Sequence, residues 1–496
     1  MNPEIFREYD IRGRADADLP DAEVRRLGLA VGLRLRRQGV SCVVVGRDAR
    51  PSSLRLQAAV AGGLAASGLE VVDLGLCPTP VLYWACVRLG TGAGVMVTGS
   101  HNPPEYNGFK VLSGGRNWFG ADFQEVRRLT ELGANGSLGA GTPEAPLEPA
   151  VEAPAAKAAG ESSPRRGRSA PVGLPPAPLE EYLDEITADF QAARAAQRSA
   201  QVRRLRVVVD AGNGVAGLTA PLLYRRLGCD VHELFCEPDG TFPNHHPDPI
   251  VDANLEPLVE EVRRRDADLG LAFDGDGDRI GVVDRGGRII RADELLILFG
   301  RNLLRRHPGL TVIADVKCSR RLFEDLRRRG ARVLMWKTGH SLIKAKMQEE
   351  GALLAGELAG HICFGDRFLP FDDAVYVGAR LLEILAAGRE SVSELLADLP
   401  VVFSTPEIRV FCPEHCKFEV VRRVRESFEG RVPLSDVDGL RVEFPDGWGL
   451  LRASNTQPAL ALRFEAESPK RLEEIRLLVE SGLKESMREI CEESRP

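Results

Sequence analysis

A serine in a stiff loop is the first candidate for chemistry in this sequence. Ser100 follows the apolar run 94–97, which predicts a buried strand, and lies in the segment Thr-Gly-Ser-His-Asn-Pro-Pro, whose residues favour a fixed turn. Lys110 follows on the next apolar segment. A hydroxyl held near a lysine, a histidine and free backbone N–H groups suits phosphoryl transfer, with an ordinary solvated turn as the plainer alternative.

Three aspartates at alternate positions form the second candidate. Asp274, Asp276 and Asp278 are separated by glycines, which lets their carboxylates turn toward one point. Like charges this close repel unless a cation lies between them. Ligands that are all oxygen select a hard ion such as Mg²⁺, which retains room for a phosphate. An EF-hand calcium loop would need Gly and Glu where this chain has Arg279 and Arg285.

Two arginine-containing segments offer positive charge for phosphate groups. Arg279 adjoins the aspartates, where it suits either neutralisation of a transferring phosphoryl group or a salt bridge that balances the acidic loop. The segment Arg-Ala-Ser-Asn-Thr-Gln-Pro near the end of the chain combines a guanidinium fork with hydroxyls and amides, which predicts a phosphate cradle. The candidate ligands in this segment are Arg452, Ser454, Asn455 and Thr456.

Two further patterns are weaker. Residues 212–217 match the Gly-x-Gly-x-x-Gly dinucleotide fingerprint after an apolar run. We favour a structural strand-to-helix turn, because a dehydrogenase would need neither the serine loop nor the three aspartates. Cys412, His415 and Cys416 lie close together in sequence, but a structural zinc site needs a fourth ligand, and coincidence is the preferred interpretation.

These candidates fall on a pattern that recurs three times along the chain. In each unit an apolar strand leads through a polar loop toward a helix, and a strand, loop and strand follow later. The later loops lie in 94–112, 269–284 and 351–369, and the third contains Glu357. Alternating strands and helices predict three related α/β units with mixed sheets. Equivalent loops from three units are expected to meet at a central cleft.

The 496-residue chain is too long for one hydrophobic core and should divide into several domains. The segment from 402 differs from the earlier units and predicts a fourth, C-terminal α+β domain. Residues 134–178 are rich in Ala, Pro, Gly and Ser, with few large apolar side chains, which indicates a flexible linker or insertion. The expected divisions are 1–133, 134–178, 179–287, 288–401 and 402–496.

Composition is that of an ordinary globular protein, with 44% hydrophobic and 28% charged residues. The net charge of −7 argues against a general nucleic-acid binder. The first residues lack a signal-peptide pattern, and no run has the length of a transmembrane helix. Because the ten cysteines are scattered as buried thiols would be, we expect a cytoplasmic protein. From the charge and the lack of an apolar span, we expect no nucleic-acid partner and no membrane partner.

Taken together, the motifs closely resemble those of the α-D-phosphohexomutase family, in particular its bacterial phosphomannomutase/phosphoglucomutase branch. The resemblance covers nearly the whole chain except 134–178, and several independent motifs in the right order make it specific. It implies four domains around a deep central cleft, of which the first three are related α/β units. The matching segments are 6–13, 98–110, 274–279, 315–318, 337–341, 356–361 and 452–458.

The resemblance also implies roles for individual residues. Ser100 would carry the phosphoryl group of the resting enzyme, and the three aspartates would hold one Mg²⁺ together with a phosphoserine oxygen. Glu357 would bind sugar hydroxyls, and the arginine cradle would grip the phosphate that does not react. The remaining cleft residues would be Tyr9, Arg12, Lys110, Arg279, Lys317, His340 and His361.

The implied reaction is a pair of phosphoryl transfers between small sugar phosphates and the enzyme. Phosphoserine donates to the free hydroxyl, and the resulting hexose 1,6-bisphosphate, an intermediate and activator, turns end for end before it returns its other phosphate. A general base must take the hydroxyl proton. Lys110 and His361 are the candidates, and Lys110 would need a pKa lowered by burial or by neighbouring cations.

One position departs from the family pattern. The branch usually has Gly-Glu-Met-Ser-Gly-His in its sugar-binding loop, whereas residues 356–361 read Gly-Glu-Leu-Ala-Gly-His. Ala359 thus lacks a hydroxyl that could contact the sugar. A lost neutral hydrogen bond is worth about 0.5–1.5 kcal/mol, and we therefore expect activity to survive while the preference between mannose and glucose loosens.

Three alternatives stay open. A phosphoglucosamine mutase is the nearest, although that branch typically has Gln at the position of Leu358. The other two come from different classes: a nucleotide-dependent oxidoreductase built on 205–237, and a non-catalytic sugar-phosphate-binding protein. We expect a monomer or a weak homodimer.

Overall fold

The computed structural model describes residues 2–134, 177–197, 203–454 and 458–493. Within these ranges the chain forms four β-sheets accompanied by helices. The linker predicted at 134–178 lies outside the described residues, apart from its two ends. None of the described helices has both the length and the apolar character needed to cross a membrane.

The first sheet has the strand order β1-β5-β4-β2-β3, with the short β6 paired to β5. Strands β3, β2 and β4 run parallel, and β5 runs antiparallel to β4. The β-branched residues 43–45 lie fully buried in the central strand. The elements are β1 (Ile11–Arg14), α1 (Ala15–Asp18), α2 (Asp21–Arg37), β2 (Cys42–Arg47), α3 (Ser53–Ala66), β3 (Glu70–Leu76), α4 (Thr79–Arg88), β4 (Ala93–Val97), β5 (Tyr106–Ser113), β6 (Arg116–Asn117) and α5 (Ala121–Ala134).

The second sheet has the order β11-β10-β9-β7-β8, again with three parallel strands followed by an antiparallel one. Both strands that flank the aspartate loop are completely buried, as their apolar sequences predict. The elements are α6 (Ala177–Gln197), β7 (Arg206–Asp210), α7 (Ala220–Arg226), β8 (Asp230–Leu234), α8 (Asp252–Arg264), β9 (Leu269–Phe273), β10 (Ile280–Asp284) and β11 (Ile289–Ile290).

The third sheet has the order β13-β12-β14-β15, with β15 antiparallel to β14. The helix after it begins at a cap, where Asp373 accepts a hydrogen bond from the N–H of Tyr376. The elements are α9 (Ala292–Leu304), β12 (Thr311–Asp315), α10 (Arg320–Arg328), β13 (Arg332–Trp336), α11 (His340–Glu350), β14 (Leu354–Gly356), β15 (Ile362–Phe364), α12 (Ala374–Ala386) and α13 (Val392–Leu395).

These three sheets share one topology, which confirms the predicted repeat of mixed α/β units. In each, three parallel strands end in a loop that returns as an antiparallel strand. These loops join β4 to β5, β9 to β10 and β14 to β15, and they carry the serine, the aspartates and Glu357 respectively. One continuous apolar cluster runs from α4 through the second and third units, and it holds the units against one another.

The fourth sheet is antiparallel throughout, as expected for an α+β domain. Its order is β16-β21-β20-β19-β18, with β17 also paired to β21. Trp448 and Leu450 of this sheet pack on Val316 of the third unit. The elements are β16 (Phe403–Ser404), β17 (Ile408–Phe411), α14 (Lys417–Phe428), β18 (Leu434–Ser435), β19 (Leu440–Phe444), β20 (Gly447–Ala453), β21 (Ala459–Ala466) and α15 (Pro469–Glu493).

Candidate active site

Ser100 lies in the β4–β5 loop, directly against the second unit. Its backbone is left-handed, with φ of 48°, and the residue is buried. Its Oγ donates a hydrogen bond to Oδ2 of Asp274 at 2.8 Å. Gly275 permits this close approach, since a Cβ there would lie 2.5 Å from the carbonyl oxygen of Ser100. The serine predicted to carry phosphate therefore touches the predicted metal loop.

The aspartate loop is a tight turn between β9 and β10 that gathers three carboxylates. Oδ1 of Asp274 accepts hydrogen bonds from the N–H groups of Gly277, Asp278 and Arg279, each at 3.1 Å. One carboxylate oxygen from each of the three aspartates lies within 4.8 Å of the others, and all three are fully buried. Burial, followed by the two neighbouring carboxylates, raises the pKa of Asp274 well above its usual range.

This donor set fits a divalent cation. Oδ1 of Asp276 is buried and has no hydrogen-bond partner among the described residues, and a buried carboxylate oxygen needs a partner such as a metal ion. Clustered carboxylates suit a hard cation such as Mg²⁺. The residues that would hold the ion are Asp274, Asp276 and Asp278, with Ser100 beside them.

Lys110, on β5, lies between two of these aspartates. Its Nζ donates to Oδ2 of Asp276 at 2.7 Å and to Oδ2 of Asp278 at 2.5 Å. Burial opposes the charge, but the two carboxylates raise the pKa of Lys110 well above its usual range. A lysine that acts as a base would need a lowered pKa. The pKa of Lys110 is raised instead, because its charged neighbours are carboxylates rather than cations.

The β14–β15 loop brings Glu357 and His361 to the same place. Oε1 of Glu357 accepts from the N–H of Gly339 at 2.6 Å, and its Oε2 lies 2.9 Å from Nδ1 of His361. Nε2 of His361 lies 3.3 Å from Nε of Arg279 and 3.3 Å from a carboxylate oxygen of Asp278. Burial opposes both charges. The contact with His361 nevertheless lowers the pKa of Glu357 to about 2, and Asp278 raises that of His361 to about 9.

His340 stacks on His361, with ring centres 5.1 Å apart. Its Nδ1 lies 3.0 Å from Oδ2 of Asp372, whose other oxygen accepts from Nζ of Lys344 at 2.5 Å. Asp372 is fully buried. This aspartate, which the sequence analysis did not single out, fixes the orientation of a predicted cleft residue.

A second group of predicted residues meets at Thr338. The hydroxyl of Tyr9 donates to the carbonyl oxygen of Thr338 at 2.8 Å. Oδ2 of Asp438 accepts from the N–H of Thr338 and from Nε of Arg452, both at 3.0 Å. The first and fourth units therefore both contact Thr338 of the third unit. Thr338 directly precedes Gly339, the glycine bonded to Glu357.

Lys317 joins the same group through Asp315. Its Nζ lies 3.9 Å from Oδ2 of Asp315, and the hydroxyl of Thr338 donates to that oxygen at 3.2 Å. Nζ of Lys317 also lies 3.5 Å from a carboxylate oxygen of Glu407. Lys317 thus connects the third unit with the start of the fourth.

Arg12 reaches the serine loop instead. Its Nη1 donates to the carbonyl oxygen of Gly99 at 3.0 Å and to the side chain of Asn102 at 3.1 Å. Ser454 lies at the far end of the site, where its carbonyl oxygen accepts from Nζ of Lys417 at 2.5 Å. Asn455 and Thr456 lie outside the described residues.

The two weaker patterns have packing explanations. At Gly217 a Cβ would lie 1.9 Å from the carbonyl oxygen of Cys236, and at Gly214 one would lie 2.9 Å from the backbone of Gly275. These glycines thus let a short helical turn pack against the aspartate loop. The sulfur atoms of Cys412 and Cys416 lie 3.8 Å apart, but neither residue belongs to the three-ligand groups found within the described ranges.

Several supporting residues were not assigned a role from the sequence, namely Asp48, Arg50, Thr338, Asp372 and Asp438, although Thr338 lies in the matching segment 337–341. Only the first two carried a readable signal, because a charged Asp-x-Arg pair directly after the buried strand β2 is costly unless both groups are paired. The others support the site across long separations in sequence.

A buried serine held against three carboxylates, with arginines, lysines and histidines drawn in from four units, is the arrangement of a phosphoryl-transfer enzyme. Family models for phosphoglucomutase/phosphomannomutase match in four consecutive segments. The three alpha/beta/alpha domains match at 3–132, 180–287 and 291–403, and the C-terminal domain matches at 407–481.

Individual relatives agree with this match over nearly the full length. The chain is 43% identical to a phosphomannomutase/phosphoglucomutase of Pseudomonas aeruginosa, over 97% of this chain and 95% of the relative. It is 41% identical to a phosphoglucomutase of Neisseria gonorrhoeae, over 95% of each protein. A crystal structure of a family protein from Burkholderia thailandensis is 41% identical, covers 98% of each chain and superposes with a TM-score of 0.82. The chain therefore belongs to the phosphoglucomutase/phosphomannomutase family and is a phosphohexomutase.

Proposed function

We propose that this phosphohexomutase interconverts the 1- and 6-phosphates of mannose and glucose through phosphorylated Ser100 and a hexose 1,6-bisphosphate. The observation that carries the proposal is the 2.8 Å hydrogen bond from Oγ of Ser100 to Asp274, inside a buried carboxylate cluster. The relatives named for mannose and glucose phosphates support the choice of sugars.

Each end of the site has a proposed task. Ser100 accepts and donates the phosphoryl group, and Arg279 together with Lys110 supplies positive charge beside it. At the other end Arg452, Ser454, Asn455 and Thr456 bind the phosphate that does not react. Because the bisphosphate must turn end for end, both ends must accept a phosphate, and this explains why a second cationic group lies apart from the aspartates.

The middle of the site is proposed to bind the sugar ring. Glu357 offers carboxylate oxygens to its hydroxyls, and His340 and His361 form an aromatic stack beside it. Lys317, Tyr9 and Arg12 approach from the other units. Mg²⁺ held by the three aspartates would supply positive charge for the phosphoryl oxygens of Ser100. Lys110 and His361, which both contact Asp278, are the candidate bases, and either must first lose the proton that its raised pKa favours.

The three alternatives are weaker on specific residues. Leu358 does not match the Gln typical of phosphoglucosamine mutases, and a non-catalytic binding protein would have no need for the intact serine and aspartate cluster. The glycines of 212–217 pack against Cys236 and Gly275, which disfavours an oxidoreductase. We also propose a cytoplasmic monomer or weak homodimer that binds neither nucleic acid nor membrane, from its net charge of −7 and its nine described cysteines, eight of which are buried.

The test is turnover of mannose 1-phosphate, glucose 1-phosphate and glucosamine 1-phosphate, measured with and without Mg²⁺ and hexose 1,6-bisphosphate. We expect Mg²⁺-dependent conversion of the first two, stimulated by the bisphosphate. Conversion of glucosamine 1-phosphate alone would establish the nearest alternative. Saturable binding of all three without conversion would establish the binding protein.

A further inference from the structure

A buried arginine outside the proposed chemistry gathers the backbone of the serine loop. Arg50 is 2% exposed. Its Nη2 donates to the carbonyl oxygens of Ser100 at 2.7 Å and Asn102 at 2.6 Å. Its Nη1 donates to the carbonyl oxygen of Pro103 and, at 3.0 Å, to that of Tyr106. One guanidinium thus satisfies four carbonyl groups of a single loop, which no other described side chain does for this segment.

Asp48 completes the arrangement from the other side. Its Oδ2 accepts from Nε of Arg50 at 3.0 Å, from the hydroxyl of Thr98 at 2.8 Å and from the N–H of Gly99 at 3.1 Å. The hydroxyl of Thr98 in turn accepts from the N–H of Ser100 at 2.8 Å. The ion pair therefore bonds to both kinds of backbone group in the loop. Asp48 accepts from an N–H group, and Arg50 donates to carbonyl oxygens.

This support matters because of the conformation it holds. Ser100 has a positive φ, which is unfavourable for a residue with a Cβ and persists only when its surroundings determine it. Buried carbonyl groups that lost the guanidinium would be left without partners, and the loop would rearrange to satisfy them. Such a rearrangement would move Oγ of Ser100 away from Asp274.

Two glycines make room for Arg50. A Cβ at Gly99 would lie 2.4 Å from Cζ of Arg50, and one at Gly240, in the second unit, would lie 2.3 Å from its Cα. The guanidinium also faces the ring of Phe242, 5.1 Å from its centre. A lysine cannot reproduce the planar fork that reaches four carbonyls and stacks on an aromatic ring.

We propose that Asp48 and Arg50 are positioning residues of phosphoryl transfer, a buried ion pair that sets the direction of Oγ of Ser100 toward the transferring group. The inference rests on the proposed function, since it assigns the pair a role in phosphorylation of Ser100. Thr98 belongs to the same device as the link between Asp48 and the N–H of Ser100. Preorganised geometry of this kind raises the rate of the chemical step rather than the affinity for substrate.

The test uses the full-length protein and four variants, namely Arg50→Lys, Arg50→Ala, Asp48→Asn and Thr98→Val. Intact mass follows phosphorylation of dephosphorylated Ser100 by glucose 1,6-bisphosphate, and steady-state assays give kcat and KM on glucose 1-phosphate. We expect the Arg50 and Asp48 variants to lose on the order of 10²-fold in phosphorylation rate and kcat, with KM nearly unchanged. Added guanidinium should restore part of the activity of Arg50→Ala and none of that of Ser100→Ala.

The matched control is Arg301→Ala. Arg301 lies on α9 and is also a largely buried arginine, paired with Asp325 and Asp398, outside the proposed site. Its loss should lower the melting temperature while kcat is retained. If an Arg50 variant does not fold, Thr98→Val, which keeps the side-chain shape, should still slow phosphorylation, and Thr98→Ser should restore it.

The outcomes separate the inference from the proposed function. Normal phosphorylation rates in Arg50→Lys and Thr98→Val, with Ser100 of the wild type phosphorylated, would overturn the positioning role alone. Equal losses of kcat in Arg301→Ala and Arg50→Ala at equal losses of melting temperature would do the same. A wild type in which Ser100 takes no phosphate would overturn the proposed function and, with it, this inference.

Discussion

The serine loop and the β14–β15 loop occupy the same place in two sheets that share a four-stranded core of the same topology, yet they are held in different ways. The β4–β5 loop is fixed by Asp48 and Arg50, which come from an earlier part of the same unit. The β14–β15 loop is fixed by the pair Glu357 and His361, which are themselves proposed to contact substrate, and by Oδ1 of Asp315, which accepts from the N–H of Leu358 at 3.1 Å. The ion pair that holds the serine loop thus lies apart from its reacting group, whereas the ion pair of the β14–β15 loop is formed by the proposed substrate-binding residues themselves.

The difference indicates what each loop must do. A serine that transfers phosphate must point in one direction through two transfers, and a dedicated ion pair serves that purpose. A loop that receives a sugar in two orientations benefits from groups able to exchange their internal hydrogen bonds for bonds to substrate. Substitutions in the β4–β5 loop should therefore change the reaction rate without a matching change in stability. Substitutions in the β14–β15 loop should change substrate affinity and stability together.

The largest expected effect is that of Ser100→Ala. Removal of the hydroxyl removes the phosphate acceptor, and we expect turnover to fall by at least about 10³-fold, as for loss of other catalytic nucleophiles. The melting temperature should stay close to that of the wild type, because Arg50 bonds to the backbone of this loop rather than to the serine side chain. Turnover assays and calorimetry check the two parts, and unchanged turnover would refute the role of Ser100.

Glu357→Gln tests how the β14–β15 loop of the third unit is held. The variant keeps the shape and the bond to Gly339, but it loses the charged contact with His361, which should lower the free energy of unfolding by about 1–3 kcal/mol. KM should rise in the same variant. Denaturant unfolding and steady-state kinetics measure both changes. A rise in KM without loss of stability would contradict the view that the Glu357–His361 pair also holds this loop.

A pH-dependent effect is expected where the second and third units join. Asp373 caps α12, whose first residue, Ala374, donates its N–H to the carbonyl oxygen of Gly277 in the aspartate loop. The carboxylate of Asp373 also accepts a hydrogen bond from the hydroxyl of Tyr182. Burial raises the pKa of Asp373 to about 7, and folding therefore takes up a proton between about pH 4 and pH 7.

Stability carried by the protonated form of Asp373 is thus present at low pH and lost as the pH rises through 7. The uncharged Asp373→Asn variant lacks this dependence. The melting temperature of the wild type should fall relative to that of Asp373→Asn from pH 5 to pH 7 and then level off. A constant difference across this range would show that the carboxylate is ionised throughout.

The smallest expected effect is that of Ala359→Ser, which restores the hydroxyl typical of the family loop. One neutral hydrogen bond is worth about 0.5–1.5 kcal/mol, and the ratio of kcat/KM for mannose and glucose phosphates should shift by about two- to twelvefold. Comparison of the two substrates in the wild type and the variant measures it. An unchanged ratio would show that position 359 does not contact the sugar.

Much of this architecture was predictable because its signals are local. The apolar runs that flank Ser100 and the aspartates became buried strands, and the glycines between the aspartates formed the tight turn that their spacing indicated. The threefold recurrence of strand, loop and strand predicted the shared topology. The motif resemblance then indicated which loops carry the chemistry.

The supporting contacts were not predictable in the same way. Thr338 meets Tyr9 and Asp438 across separations of 329 and 100 residues, and the sequence around it gives no sign of either partner. The raised pKa of Lys110 could not be predicted either, because the sequence shows that a lysine lies near the site but not that carboxylates surround it.

Phosphate exchange at Ser100 is the most direct test of the account. Purified protein is analysed by intact mass and phosphosite mapping before and after incubation with mannose 1-phosphate, glucose 1-phosphate and their 1,6-bisphosphates. The account predicts one phosphate on Ser100 that exchanges with sugar and is absent from Ser100→Ala, with slower exchange in Arg50→Lys. A protein that carries no phosphate at Ser100 under any of these conditions would contradict it.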